Sequence, residues 1–144
     1  MSKIALDVGD VRIGMAASQG QLVLPVEAFQ NSEPGLLALY QELEHRRPEV
    51  IYVGLPLNLS GSHTASTTKA IEFAKTLVAK GFVVRMIDER LTTRSAQQLL
   101  RQAGKNAKSS KTMIDAQAAA GILEFAIQSE RNGLAGISLE DLDA

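Results

Sequence analysis

The sequence predicts an α/β domain built on a mixed five-stranded sheet with helices on both faces. Two observations predict it. Three consecutive strand-like segments open the chain as a meander, and they then give way to alternating helical and strand-like segments, the pattern of βα units. At 144 residues the chain suits one domain with a single substantial core. That domain is expected over residues 1–132, followed by an acidic, loosely held tail over 133–144, where Glu140, Asp141 and Asp143 crowd together.

Lys3 to Val8 reads as a buried strand and Arg12 to Ser18 as a second, with Gly9-Asp10 supplying the turn of a hairpin. Leu22 to Phe29 is a third strand, and Pro25, which cannot donate to a ladder, marks it as an irregular or edge position. Leu36, Leu37, Leu39, Tyr40 and Leu43 follow at helical spacing. Asn31-Ser32-Glu33-Pro34 before them offers a serine cap and a first-turn proline, and Pro48 closes the segment. Val50 to Val53 is a short β-branched strand leading into a loop, Gly54-Leu55-Pro56, and a polar stretch, Asn58 to Ser62.

Thr64 to Lys80 reads as a helix stopped by Gly81, and Phe82 to Ile87 as a buried strand. Thr93 to Ala103 is a further helix ending at Gly104. Lys105 to Lys111 is a basic loop, and Met113 to Arg131 a long helix with Ala116, Ala119, Ala120, Leu123 and Ile127 on one side. Small residues there allow close approach to a sheet. The order β-β-β-α-β-α-β-α-α is that of the RNase H-like fold.

Apolar residues make up 45% and charged residues 22% of the chain, which excludes wholesale disorder. There is no cysteine, so disulfides, thiolate nucleophiles and Cys-based zinc sites are excluded. No signal-peptide core or membrane-length apolar run is evident, and a soluble, cytoplasmic protein with no membrane partner is expected. Net charge is −1, but between Arg85 and Lys111 seven basic residues stand against Asp88 and Glu89. That stretch suits either a solvated helix face or a phosphate-binding surface.

Asp7 ends an apolar strand, where an unpaired carboxylate is costly. Asp88-Glu89-Arg90 repeats the situation at the end of Phe82–Ile87, and ligands of open α/β sheets collect outside the carboxyl ends of strands. Asp115 opens the last helix, one turn before Ala119, and should face the sheet. Each has an ordinary alternative: Asp7 as a turn cap, Asp88 as a turn cap with Glu89 paired to Arg90 or Arg94, and Asp115 as a residue favoured by the helix dipole. Together, three carboxylates make a ligand set for Mg²⁺ or Mn²⁺. Two such cations about 4 Å apart can activate water and stabilise the leaving oxygen of a phosphodiester displacement. His45 is expected to face solvent, and His63 lies in the polar loop. Gly9, Gly14, Gly54 and Gly61 would let backbone approach a bulky ligand.

Taken together, Leu6-Asp7-Val8-Gly9 with Arg12-Ile13-Gly14, Val53-Gly54-Leu55-Pro56 with Gly61, Asp88-Glu89-Arg90-Leu91-Thr92-Thr93, and Ile114-Asp115 with Ala118-Ala119 resemble the bacterial YqgF family of pre-16S rRNA nucleases or Holliday junction resolvase-like proteins. The resemblance implies an RNase H-like fold and metal-dependent cleavage, with Asp7, Glu89 and Asp115 as catalytic and metal-binding acids. It also implies that Arg12, Arg90, Thr92, Thr93 and Lys111 line the phosphate path. The sequence departs from the family's pattern at Val11, where lysine is frequent, and at Gln19, where aspartate is common. Expected partners are structured RNA, pre-rRNA or branched DNA, with ribosome association and a monomer or homodimer both open. The competing readings are a non-catalytic nucleic-acid-binding factor on the same scaffold and an actin-like ATPase, to whose phosphate loop Asp7-Val8-Gly9 is similar. The ATPase reading calls for a second domain that 144 residues do not accommodate.

Overall fold

A computed structural model describes residues 2–91 and 111–133, the side chains of Lys111 and Thr112 excepted. The predicted helix Thr93–Ala103 with its Gly104 stop, most of the basic loop, Thr92, Thr93 and the acidic tail beyond Gly133 lie outside the described residues.

The sheet has the order β3-β2-β1-β4-β5, formed by β1 (Lys3–Val8), β2 (Arg12–Gln19), β3 (Leu22–Gln30), β4 (Val50–Leu55) and β5 (Val84–Asp88). β1–β2 and β2–β3 pair antiparallel, while β1–β4 and β4–β5 pair parallel. This is the mixed sheet expected. β3 is an edge strand, as Pro25 requires, and its pairing with β2 shifts register between Met15 and Ala16. β4 runs two residues further than expected. Gly54 and Leu55 are ladder positions rather than loop, because β5 continues to pair with them, Gly54 with Ile87 and Leu55 with Asp88, after the pairing with β1 has ended at Val53.

Helix α1 (Glu33–Arg46) starts after Ser32, whose side chain makes no capping hydrogen bond. Pro34 in the first turn supplies the start signal instead. Helix α2 (Ala65–Ala79) opens on a capping box in which Thr64 and Thr67 satisfy each other's backbone donors, and Gly81 takes φ +99 just beyond its end. Helix α3 (Lys111–Arg131) begins two residues before the expected start.

Alternation along the strands divides the core. Ile4, Leu6, Ile51, Val53 and Met86 pack on one face with Leu39 and Leu43 of α1 and Ala70, Ala74 and Leu77 of α2. Ala5, Ala16, Tyr52 and Ile87 pack on the other with Ala119, Ala120, Leu123 and Ala126 of α3. Full burial of each Leu or Ile contributes roughly 1.5–3 kcal/mol. The alanines contribute less area but let α3 lie close on the sheet, against β2, β3 and β1. Among the described residues no helix is long and apolar enough to cross a membrane.

Candidate active site

Strand register builds the site. Asp7 pairs across the sheet with Gly14 of β2, and it stands one residue beyond the Leu6–Val53 pair, beside Gly54 of β4. Gly54 in turn pairs with Ile87, two residues before Glu89. Asp7 shares the α3-facing side with Ala5, and Glu89 reaches the same side, where its Oε1 fills the space a Gly54 side chain would need. α3 then covers this row so closely that the backbone carbonyl of Asp115 occupies the space of a Gly14 side chain. Gly14 and Gly54 therefore serve the protein's own packing: one admits a helix backbone, the other a carboxylate. The sequence-based expectation that they admit a bulky ligand has a nearer explanation.

Asp7 and Glu89 touch. The Glu89 carboxyl, pushed up to about 8 by burial and by the Asp7 charge, donates a hydrogen bond to Asp7. Burial also raises Asp7, with the neighbouring charge of Asp115 adding to it. Asp115 faces the same row, but its Oδ2 accepts from Arg12 Nε at 2.7 Å. Three carboxylates without a cation repel, and Arg12 supplies the balancing charge. Accordingly, among the described residues no three His, Asp or Glu side chains stand in a ready-made ligand group for a metal ion.

Asp88 points away from this row. Its carboxylate takes Arg90 through both oxygens, with Nη2 at 2.6 Å, and also accepts from the Arg90 backbone N–H at 2.9 Å. These bonds hold Asp88 below the ordinary carboxylate range. The turn-cap reading of Asp88 is thus right, while Arg90 pairs with Asp88 rather than with Glu89. Arg12 and Arg90, expected on the phosphate path, are both at this end of the sheet and both engaged by carboxylates. The Lys111 backbone opens α3; Thr92 and Thr93 lie outside the described residues. His45 and His63 are both exposed. Sequence reasoning missed Asn31, whose side chain donates to the Gly9 carbonyl at 2.8 Å while its backbone N–H donates to Val11 at 2.8 Å. It ties down the turn between Asp7 and Arg12, and no local signal marks a contact 22 residues away.

The raised Glu89 and Asp7 values set a pH dependence. The folded, metal-free protein keeps a proton that the unfolded chain releases near the ordinary carboxyl value of 4.5. Stability is therefore fullest at and below that pH and falls as pH rises toward about 8. The expected loss is on the order of 2–4 kcal/mol. Denaturant midpoints measured in chelator from pH 5 to 9 should decline, and Glu89→Gln should flatten the curve. A midpoint constant or rising across that range would contradict the shared proton.

The mixed β3-β2-β1-β4-β5 sheet with helices on both faces is the RNase H-like class of fold, with acidic groups from β1, the turn after β5 and α3 at one end of it. The chain belongs to the RuvX family, described as Holliday junction resolvase, which matches over residues 1–129. This is the YqgF family whose motifs the sequence resembles. A relative from Leifsonia xyli subsp. xyli, provisionally named a pre-16S rRNA nuclease, is 45% identical over 136 residues, covering 90% of this chain and 86% of its own. One of the same name from Clavibacter michiganensis subsp. michiganensis is 42% identical over 139 residues, covering 90% and 84%. In fold, the chain is similar to T. thermophilus RuvC in complex with a Holliday junction substrate, with a TM-score of 0.63 at 19% identity over 94% of this chain and 98% of that one. It is also similar to the fowlpox virus Holliday junction resolvase, with a TM-score of 0.56 at 13% identity over 90% and 99%.

Proposed function

We propose that this protein is a divalent-metal-dependent endonuclease that trims the 5′ end of pre-16S rRNA, with Asp7, Glu89 and Asp115 holding Mg²⁺ or Mn²⁺. The observation that carries this reading is the Asp7–Glu89 contact. Two half-buried carboxyl groups pressed together are tolerated only with a proton or a cation between them, and an all-oxygen donor set suits a hard cation. The fit is good for Asp7 and Glu89, and Asp115 is within electrostatic reach of Asp7. When bound, the cations supply positive charge that activates water and neutralises the leaving oxygen.

The chain's own groups do the rest. To hold the cations Asp7 and Glu89 would give up their shared proton, so affinity for the cations would rise with pH. Arg12 and Arg90, with Thr92, Thr93 and Lys111, hold phosphates in line and position the backbone without reading bases. The pre-16S substrate is supported by the names of the relatives that cover most of this chain. The second reading, cleavage of four-way DNA junctions, is favoured by the family description and by the RuvC-like fold. It calls for a symmetric dimer.

Cleavage of pre-16S rRNA ends and of four-way junctions by the purified protein, side by side with Mn²⁺ and with chelator, tests both. Mn²⁺-dependent RNA cleavage is expected. Cleavage that persists in chelator would overturn the metal chemistry. Salt-sensitive binding with no cleavage of either substrate would leave the non-catalytic factor standing.

A further inference from the structure

Ten large apolar side chains are exposed among the described residues, and half of them ring one place. Val11, Leu59, Leu91, Met113 and Ile114 belong to the β1–β2 turn, the loop after β4, the segment after β5 and the start of α3. Those segments surround the carboxyl ends of β1, β4 and β5, where Asp7 and Glu89 meet. Leu59 is the extreme case, 96% exposed.

Its exposure does not come from a loose loop. The Asn58 side-chain oxygen accepts from Ser60 N at 3.1 Å, Ser60 Oγ at 2.7 Å and Ser62 N at 2.8 Å. Backbone bonds from Asn58 N to Ser62 O and from Gly61 N to Asn58 O close the turn, and Leu57 bridges His63 at its neck. The Thr67 hydroxyl, buried, donates to the Pro56 carbonyl and anchors the base. Gly61, at φ +86, brings the loop against Arg90, whose Nη1 lies 3.3 Å from where a Gly61 Cβ would be. A hydrogen-bonded loop thus holds a leucine in water, and two residues on, its Gly61 lies against a guanidinium that Asp88 fixes in turn.

We propose that Leu59 is an apolar wedge that packs against an unstacked nucleobase next to the cleaved phosphate, while Arg90, against Gly61 of the same loop, faces the backbone. This rests on the nuclease reading above. A nucleotide is the ligand whose parts match the pair, a flat apolar face for leucine and an anion for arginine. Apolar side chains inserted at base steps are a recognised means of opening nucleic acid. Holding the leucine rigidly beforehand removes the ordering cost at binding. The wedge favours substrates with a base already unpaired, such as bulges, strand ends and junction centres.

The test uses the full-length protein with Ca²⁺ and two probes, an RNA hairpin with a bulge and a four-way DNA junction, each carrying 2-aminopurine at the unpaired or central base. Wild type is expected to brighten the fluorophore as the base unstacks. Leu59→Ala should lose most of that brightening and bind about fivefold more weakly, the low end for removing a base-stacking side chain. Leu59→Met should restore both. Leu59 touches nothing that folding depends on, so the alanine variant stays folded. Brightening confined to the RNA or to the DNA arm identifies the source of the base. Equal brightening and affinity for Leu59→Ala and wild type would overturn the wedge and leave the leucine to a protein partner. Wild-type binding without brightening would overturn it as well, with the nuclease reading intact. No binding to either probe would bring down both.

Discussion

Asp7→Asn should abolish metal-dependent cleavage, by on the order of a thousandfold or more, while making the metal-free protein more stable. Asp7 sits mid-row, between Gly14 and Gly54, with Glu89 against it and Asp115 close enough to raise its pKa. Asparagine keeps the shape and can still accept the Glu89 hydrogen bond through its amide oxygen, but it removes a half-buried charge. Relief of that burial and of the repulsion from Asp115 should add roughly 1–2 kcal/mol without metal, raising Tm by about 3–6 °C. Mn²⁺ should raise Tm in wild type and do so far less in the variant. Three measurements separate the possibilities: cleavage, Tm in chelator, and the Mn²⁺-induced shift. Unchanged cleavage would sink the mechanism, and a collapse of Tm in chelator would make Asp7 a structural residue.

Gly14→Ala should both destabilise the fold and slow cleavage. The added Cβ meets the Asp115 carbonyl and, at 3.0 Å, the Ala116 nitrogen, both backbone. Neither side can yield easily. Gly14 lies mid-sheet, paired to Asp7 on one edge and Ala28 on the other. α3 is held down by Ala119, Ala120, Leu123 and Ala126. Overpacking of this kind costs about 1–3 kcal/mol. Lifting the start of α3 also moves Asp115 from the acid row, and a shift of about 1 Å at a reacting centre costs on the order of a hundredfold in rate. Gly20→Ala is a useful contrast: its φ of +62 strains the backbone, yet nothing lies within 4 Å of the new Cβ and no site residue moves. Denaturant midpoints with cleavage rates for both variants make the check. Wild-type activity in Gly14→Ala would mean that α3 does not rest on β2 there.

Much of the fold was legible because its signals are local. The strand β1 reads from the short apolar run Ile4-Ala5-Leu6 closed by turn residues, buried on both faces as such runs are, and α2 from apolar spacing with a terminal glycine, since both signals lie within a few residues. The Gly54-Leu55 extension of β4 was not legible. Glycine weakens an isolated strand, and only the parallel pairing with β5 holds it in the ladder. The idle Ser32 hydroxyl is similar, because propensity names a cap residue without saying that its side chain turns inward.

For the site, the sequence by itself determined which residues bear acid and where in their elements they stand: Asp7 and Glu89 at strand ends, Asp115 in the first turns of the last helix. Only the tertiary structure decided how they pair. Arg12 joins Asp115 across 103 positions, Asp88 rather than Glu89 takes Arg90, and Glu89 shares its proton with Asp7. The physical reason is that a charge chooses its partner by distance and burial. Both depend on strand register and on how closely a helix can lie over Gly14, and neither is written in any local pattern.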